Sequence, residues 1–466
     1  MPDERFAEHL NHPVGRGHAV ADGHAGTAGG SICGDLVRID IRVEGATVAD
    51  AGFEASGCGA LSAAASACAD LVRGAPLLDA ARIGSADVAA GLGGLSAGKL
   101  HAADLAADAL ARAVGGAAVA QAELGARVDR VLVAMSGGVD SAVAALLSEG
   151  EVAAVTLELW RDAENDAEGS CCSASAVRSA RSLAHRMGIP HLTVDLRDAF
   201  RAGVVQPWLA DHAAGLTPNP CVRCNGRVRL DAMADLASRL GAAALATGHY
   251  ARVTDDGLLR AAADPSKDQS YMLAGLAPET IAKMRFPLGE LTKHKVRAIA
   301  AEHGLPVASK PDSQDLCFLA GTGRARFLER HGGLGDRPGA IVDRRGNVLG
   351  RHRGAHRFTV GQRRGLEVGG AGEPLYVLGT DVAAGTVTVG TRADLATSQV
   401  QLRDVVLHRD AGEVDAVKLR YRSPAVPCTL DGDMLRLGES FAGAAPGQVA
   451  VLLRGDAVVG SGTISA

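Results

Sequence analysis

The chain has no run of about 18 apolar residues, so no stretch of it is suited to cross a bilayer as a helix. Its first residues, MPDERFAEHL, lack the basic-then-apolar order of a secretory signal, and the cytoplasm is the expected address. A disulfide framework is disfavoured as well. Nine cysteines are an odd number, several sit in two tight groups, and without a secretory context they point to metal or thiolate chemistry. An excess of positive charge is also missing: the net charge is −5, so any nucleic-acid partner must meet a local basic face. One candidate face holds Arg324, Arg326, Arg330, Arg337, Arg344, Arg345, Arg351, Arg353, Arg357, Arg363 and Arg364, against Glu329, Asp336 and Asp343. A solvated arginine-rich surface would read the same way. No tandem repeat or long low-complexity tail is present.

What is present is enough for several cores: 466 residues, 47% of them apolar. Up to about residue 115, strand-like alternation (VRIDIRVEG, VADAGFEASG) precedes Ala-rich helical stretches (LSAAASACADLVRG, HAADLAADALARAV), which predicts a small α+β unit. Residues 116–127 read as a linker. Over 128–330, strands such as VLVAM, VAAVTLEL, HLTVDL and AAALATGH alternate with helical segments, the order of an α/β parallel doubly wound sheet. Short runs separated by Gly and Asp turns follow, predicting β-barrel-like modules over 331–395 and 396–466.

The stretch VLVAMSGGVDSAVAALL, residues 131–147, is a buried strand, a Ser-Gly-Gly turn and a helix. Glycines let the backbone close on a ligand, and the free N–H groups of a helix start supply positive partial charge, so the stretch suits a phosphate. Ser136 and Ser141 add hydroxyls, and Asp140 can hold Mg²⁺ against phosphates. The Gly-Lys-Ser/Thr ending of the common nucleotide loop is missing.

SGGVDS resembles the PP-loop of the ATP pyrophosphatase superfamily, whose members adenylate a carbonyl oxygen and release pyrophosphate. TPNPCVRCN, ATGHYAR, KDQSYML, SQDLCFL and FTVGQRRGL, in that order, resemble the tRNA-specific 2-thiouridylase family from about Val128 onward. The resemblance implies adenylation of the 2-carbonyl of a wobble uridine, followed by displacement of AMP by sulfur. ATP would contact Ala134, Met135, Ser136, Gly137, Gly138, Val139, Asp140, Ser141, Leu157 and Gly248. Asn219, Pro220, His249, Lys267, Asp268 and Gln269 match positions that approach the target base or tRNA, and Arg420, Tyr421 and Gln448 match further tRNA contacts. In isolation, His249 reads first as a satisfied core histidine and Lys267–Asp268 as a surface ion pair; the ordered set of motifs reverses that judgement.

Cys224 and Cys317 match the family's nucleophile and persulfide carrier, and Cys221 stands where many members have Asp. Two readings follow. Either Cys317 carries a persulfide and Cys224 resolves it as a disulfide, or Cys221, Cys224 and Cys317 ligate a [4Fe-4S] cluster whose fourth iron carries sulfur. The cluster reading also explains Cys221 and is preferred mainly because of the unit that precedes it in the chain; a structural zinc site lacks an evident fourth ligand. Cys171 and Cys172, although in a family-like stretch, receive no chemistry, and Cys428 reads as a small core residue.

At the other end, FAEHLNHPVGRGHA, SICGD, FEASGCGALSAAASA and KLHAADLA resemble the NifU/IscU-type iron–sulfur scaffold. Cys33, Asp35 and Cys58 match its metal-binding positions. Ala102 replaces the final cysteine, while His101 remains and can ligate through a ring nitrogen. Cys68 is a candidate substitute. The expected partners are tRNA and a sulfur donor such as a cysteine desulfurase or relay protein, with the N-terminal unit supplying Fe–S or sulfur to the second site.

Overall fold

The computed structural model describes residues 4–30, 34–162, 173–312, 316–319, 321–366, 368 and 373–466. Cys33, Cys171 and Cys172 lie outside the described residues. The N-terminal unit opens with α1 (Glu4–Asn11) and an antiparallel meander of β1 (His24–Gly29), β2 (Leu36–Glu44) and β3 (Thr47–Ser56). In β2 every second residue is buried, as its alternating sequence requires. Helices α2 (Gly59–Val72), α3 (Leu77–Ala80), α4 (Ser85–Gly91) and α5 (Leu100–Ala120) complete the unit.

Helix α5 does not stop where the linker was expected. It continues to Ala120, with Ala117 and Ala118 fully buried, because its small side chains let a second surface close on it. That surface belongs to a five-stranded parallel sheet of order β10-β7-β4-β5-β6. Its strands are β4 (Arg127–Ala134), β5 (Glu151–Glu158), β6 (His191–Asp195), β7 (Ala242–Thr247) and the short β10 (Met284–Arg285). Gly115 lies so close to the edge strand that a Cβ there would sit 1.9 Å from the Thr193 carbonyl oxygen. One apolar core therefore runs from Ile39, Phe53 and Leu61 through α5 to Leu132, Val155, Leu192 and Val194 on one face of the sheet. The alternate residues Val133, Ala154 and Ala246 face a second core with α6 (Val139–Leu146) and α7 (Ala174–Arg186). The sheet is doubly wound, and the N-terminal unit supplies part of one layer.

Two β modules follow. The strands β11 (Gly339–Val342), β12 (Val348–His352), β13 (Tyr376–Asp381) and β14 (Thr386–Gly390) form a four-stranded sheet. The last module contains β15 (Ala396–Leu407), β16 (Ala416–Lys418), β17 (Val426–Asp431), β18 (Met434–Ala442), β19 (Val449–Arg454) and β20 (Ala457–Ile464). It closes into a barrel because β15 pairs with both β18 and β20, which removes the open edges. A hairpin within residues 128–330, β8 (Ala251–Val253) and β9 (Leu259–Ala261), adds to β20 through Ala457 and Val458. Cys428 is buried in this barrel's core. Among the described residues no helix is long and apolar enough to cross a membrane.

Candidate active site

The loop between β4 and α6 is held from three sides. Thr156 donates from Oγ1 to the Met135 carbonyl at 2.7 Å and contacts His191 Nε2 at 2.8 Å. Ser141 Oγ accepts from the Ser136 N–H and donates to the Gly138 carbonyl, both at 3.1 Å. Gly137 adopts φ of +69°, a conformation glycine takes without strain. Gly248, at the end of β7, packs on the start of α6 so tightly that a Cβ would lie 2.7 Å from Asp140 C and Ser141 N.

Around this loop the fold gathers charges from distant parts of the chain. Lys293 Nζ donates to both Asp140 oxygens at 2.7 Å, and Tyr250 donates its hydroxyl to Asp140 Oδ1 at 2.8 Å. Asp312 receives Lys293 at 2.8 Å, Lys267 at 2.9 Å and Arg297 at 3.0 Å. Burial pushes the Asp312 carboxyl upward, but hydrogen bonds and charge from Lys293 and Lys267 prevail and hold it down at about 2. Lys310 donates to the Gly137 carbonyl at 2.9 Å. Neither Lys293, Lys310 nor Tyr250 was singled out from the sequence; the lysines belong to no local phosphate motif and act only through the fold.

Next to the loop lies a cavity of about 340 Å³. Ala134, Met135, Ser136 and Leu157 line one side, and Cys221, Cys224 and Cys317 line another, with Pro220, His249, Gln269 and Tyr421. The helix Pro220–Cys224 places both its cysteines on the cavity wall. Asn219 caps it, its Oδ1 accepting from the N–H groups of Cys221 at 3.1 Å and Val222 at 3.4 Å. Burial, then the charge of Arg229, pushes His249 down to about 3, so its imidazole is neutral at ordinary pH. Gln269 accepts from the Tyr250 N–H at 2.9 Å.

Other expected residues lie outside the cavity lining. Lys267 pairs with Asp312, not Asp268; Asp268 organises its own loop, accepting from the N–H groups of Ala262 and Ser270 at 3.1 Å. Arg420 donates to the Gly443 carbonyl beside the Phe441 ring, and burial lowers its pKa. Gln448 donates to the Thr217 carbonyl at 2.5 Å, tying the barrel to the cysteine loop. In the arginine-rich segment, Arg353 and Arg357 bind Asp336, Arg344 binds Asp394 and Arg330 binds Asp162, so part of its charge is neutralised internally.

A second group sits on the N-terminal unit. Asp35, Cys58 and His101 place one ligand atom each within 4.8 Å of one another. Cys58 donates its N–H to Asp35 Oδ1 at 2.9 Å, and His101 Nε2 lies 3.2 Å from Asp35 Oδ2. The Cys58 backbone hydrogen bond lowers the Asp35 pKa against desolvation, with help from the Cys58 thiol and His101. Carboxylate, thiol and imidazole suit a divalent transition metal. Cys68 takes no part: it is fully buried in α2, where burial pushes its thiol pKa up. Ala102 is buried as well.

Fold and site define a phosphate-loop α/β protein whose loop opens onto a thiol-lined cavity, built together with a second, metal-competent unit. Family models match as a tRNA methyl transferase HUP domain over residues 129–321 and a NifU-like N terminal domain over 2–120. A tRNA methyl transferase PRC-barrel domain matches 325–391 and an aminomethyltransferase beta-barrel domain 399–464. The bifunctional protein NifU/MnmA of Rubrobacter xylanophilus is 43% identical, covering 100% of this chain and 99% of that one. The tRNA-specific 2-thiouridylase MnmA of Salinispora tropica is 45% identical over 72% of this chain and 99% of its own. The crystal structure of a nitrogen-fixing NifU-like protein (N-terminal) from Brucella abortus aligns at 23% identity and TM-score 0.16, covering 23% of this chain and 75% of that one. The chain belongs to the tRNA-specific 2-thiouridylase MnmA family, in its form fused to a NifU-like domain.

Proposed function

We propose that this protein is an ATP-dependent tRNA-uridine 2-sulfurtransferase acting on the wobble uridine, in the cytoplasm. The observation that carries the reading is the single cavity onto which the phosphate loop and three cysteines open. ATP lies along Ala134–Ser141, Leu157 and Gly248, with its pyrophosphate on the loop. Asp140 would hold Mg²⁺, which would offset charge on the phosphates. Uridine O2 attacks the α-phosphorus; that O–P bond forms, the bond to pyrophosphate breaks, and pyrophosphate leaves with the electron pair.

Cys224, Cys317 and Cys221 bring sulfur to C2. Three thiols on one cavity support the cluster reading, in which Cys221, Cys224 and Cys317 would hold a [4Fe-4S] cluster that would supply the sulfur. In the persulfide reading, the terminal sulfur on Cys317 attacks C2, the C–S bond forms and AMP departs with the electron pair. Cys224 then attacks Cys317 Sγ; the product keeps its sulfur with the electrons of the broken S–S bond, and a dithiol reductant reopens the resulting disulfide. Pro220, His249, Gln269 and Tyr421 line the cavity that receives the flipped-out uridine, and Asn219, Lys267, Asp268, Arg420 and Gln448, held by partners within the protein, shape the loops and barrel that meet the tRNA. Asp35, Cys58 and His101, with Cys33, receive Fe–S or sulfur from a donor such as a cysteine desulfurase.

A strain lacking the protein is expected to contain wobble uridine without its 2-thio group in nucleoside mass spectrometry; unchanged 2-thiouridine refutes the reading. In vitro, tRNA-dependent pyrophosphate release is expected from the wild type and lost in Asp140→Ala. Lys310→Met removes the ammonium beside Gly137, and ATP binding measured by calorimetry is expected to weaken about tenfold, the scale of one charge-assisted hydrogen bond.

A further inference from the structure

Arg229 is the one residue with a permanently charged side chain among the described residues lining the catalytic cavity, and that lining holds no carboxylate. Its place there follows from an uncommon backbone. Directly after Cys224 the chain makes a π-helical turn, Asn225–Arg229, whose wider winding returns the fifth residue toward the face that carries Cys224. The turn is held in place by its neighbours. A Cβ on Gly226 would lie 2.5 Å from the Gly275 carbonyl oxygen, and Asn225 donates from Nδ2 to the Met272 carbonyl at 3.2 Å. A second π-helical turn, Arg201–Val205, packs against the first and contributes Val204 to the cavity wall. Since His249 is neutral, Arg229 is left as the cation of this wall.

The phosphate loop and its lysines lie to one side of this cavity and suit the pyrophosphate. The remaining anion of the reaction is the phosphodiester that joins adenosine to uridine O2. We propose that Arg229 binds this adenylyl phosphate, holding it while pyrophosphate leaves and again while the C2–O bond breaks and AMP departs with the electron pair. The planar guanidinium matches two phosphate oxygens at once and keeps its charge at every working pH. The assignment rests on reading the cavity as a uridine adenylation site.

The test compares two nucleotides on the full chain: AMP, and adenosine 5′-sulfamate, its neutral mimic. Arg229→Met is expected to weaken AMP about 10- to 100-fold, as loss of a charge-assisted contact to phosphate should. Binding of the neutral mimic should stay within about twofold of wild type, because its sulfamate presents no charge to the arginine. Arg229→Lys, which keeps the charge but not the fork, should fall between wild type and Arg229→Met, and it carries the test if the Met variant does not fold. Equal weakening of both nucleotides overturns the assignment and leaves Arg229 a shaper of the wall; unchanged AMP binding overturns it and moves the phosphate elsewhere. A wild-type chain that binds neither AMP nor ATP would instead refute the adenylation reading itself.

Discussion

Asp108→Ala is expected to destabilise the protein by about 3–5 kcal/mol, the usual consequence of stripping one partner from a buried ionic group. Asp108 lies in α5, 5% exposed, and accepts from Arg181 of α7 at 2.7 Å and from Arg112 one turn along. Arg112 also reaches Glu158 at the end of β5, at 2.6 Å. The group therefore joins the N-terminal unit to the parallel sheet. Without Asp108, Arg112 keeps Glu158, but Arg181, 7% exposed, loses its carboxylate inside the protein. Burial alone would raise the Asp108 pKa; the charges of Arg181 and Arg112 outweigh it and lower the pKa below its ordinary 3.8. Its contribution is thus complete above that pH and is lost as pH falls through the lower, folded-state value. The urea midpoint of the first unfolding transition reads the effect. Asp108→Leu combined with Arg181→Leu should recover much of the loss, since apolar replacement of a whole buried pair is tolerated. A midpoint change worth under about 1 kcal/mol would show that the ionic group does not hold the two units together.

Gly248→Ala is expected to weaken ATP binding about 10- to 100-fold, because small misplacements at a phosphate site are costly, and to lower stability by about 1–3 kcal/mol through overpacking. The added methyl would stand 2.7 Å from Asp140 C and Ser141 N, which are backbone atoms and cannot rotate away. The start of α6 must shift, carrying the Ser141 hydroxyl that holds the loop and the Asp140 carboxylate held by Lys293. Gly412→Ala, where a Cβ meets nothing within 4 Å, is the control. Calorimetric titration with ATP decides it: equal affinity in both variants would mean that the nucleotide does not depend on this contact.

Much of the site was legible because its signals are local. The strand, glycine turn and helix of residues 131–147, the alternation in β2 and the two cysteines of Pro220–Cys224 all lie within one short window each. Asp35, Cys58 and His101 could be named from resemblance, and their convergence needed three elements to fold. Less was legible at the seams. Residues 116–120 read as linker because Ala and Gly carry no hydrophobic periodicity, yet small size is what lets α5 lie against β6. The hairpin of β8 and β9 lies within 128–330, where only a parallel sheet is expected, and its pairing with the barrel is a long-range match that short strands do not announce.

The glycine turn, the cysteine helix and the order of strands and helices could be read from spacing and backbone preference over a few residues, and the family from its ordered motifs. Only the tertiary structure decided that Lys293 and Lys310 reach the loop from more than 150 residues away, that Arg229 turns into the thiol-lined cavity, and that the N-terminal unit shares the catalytic core. Those arrangements come from packing and charge pairing between distant segments, whose free energy exists only once the chain has closed on itself.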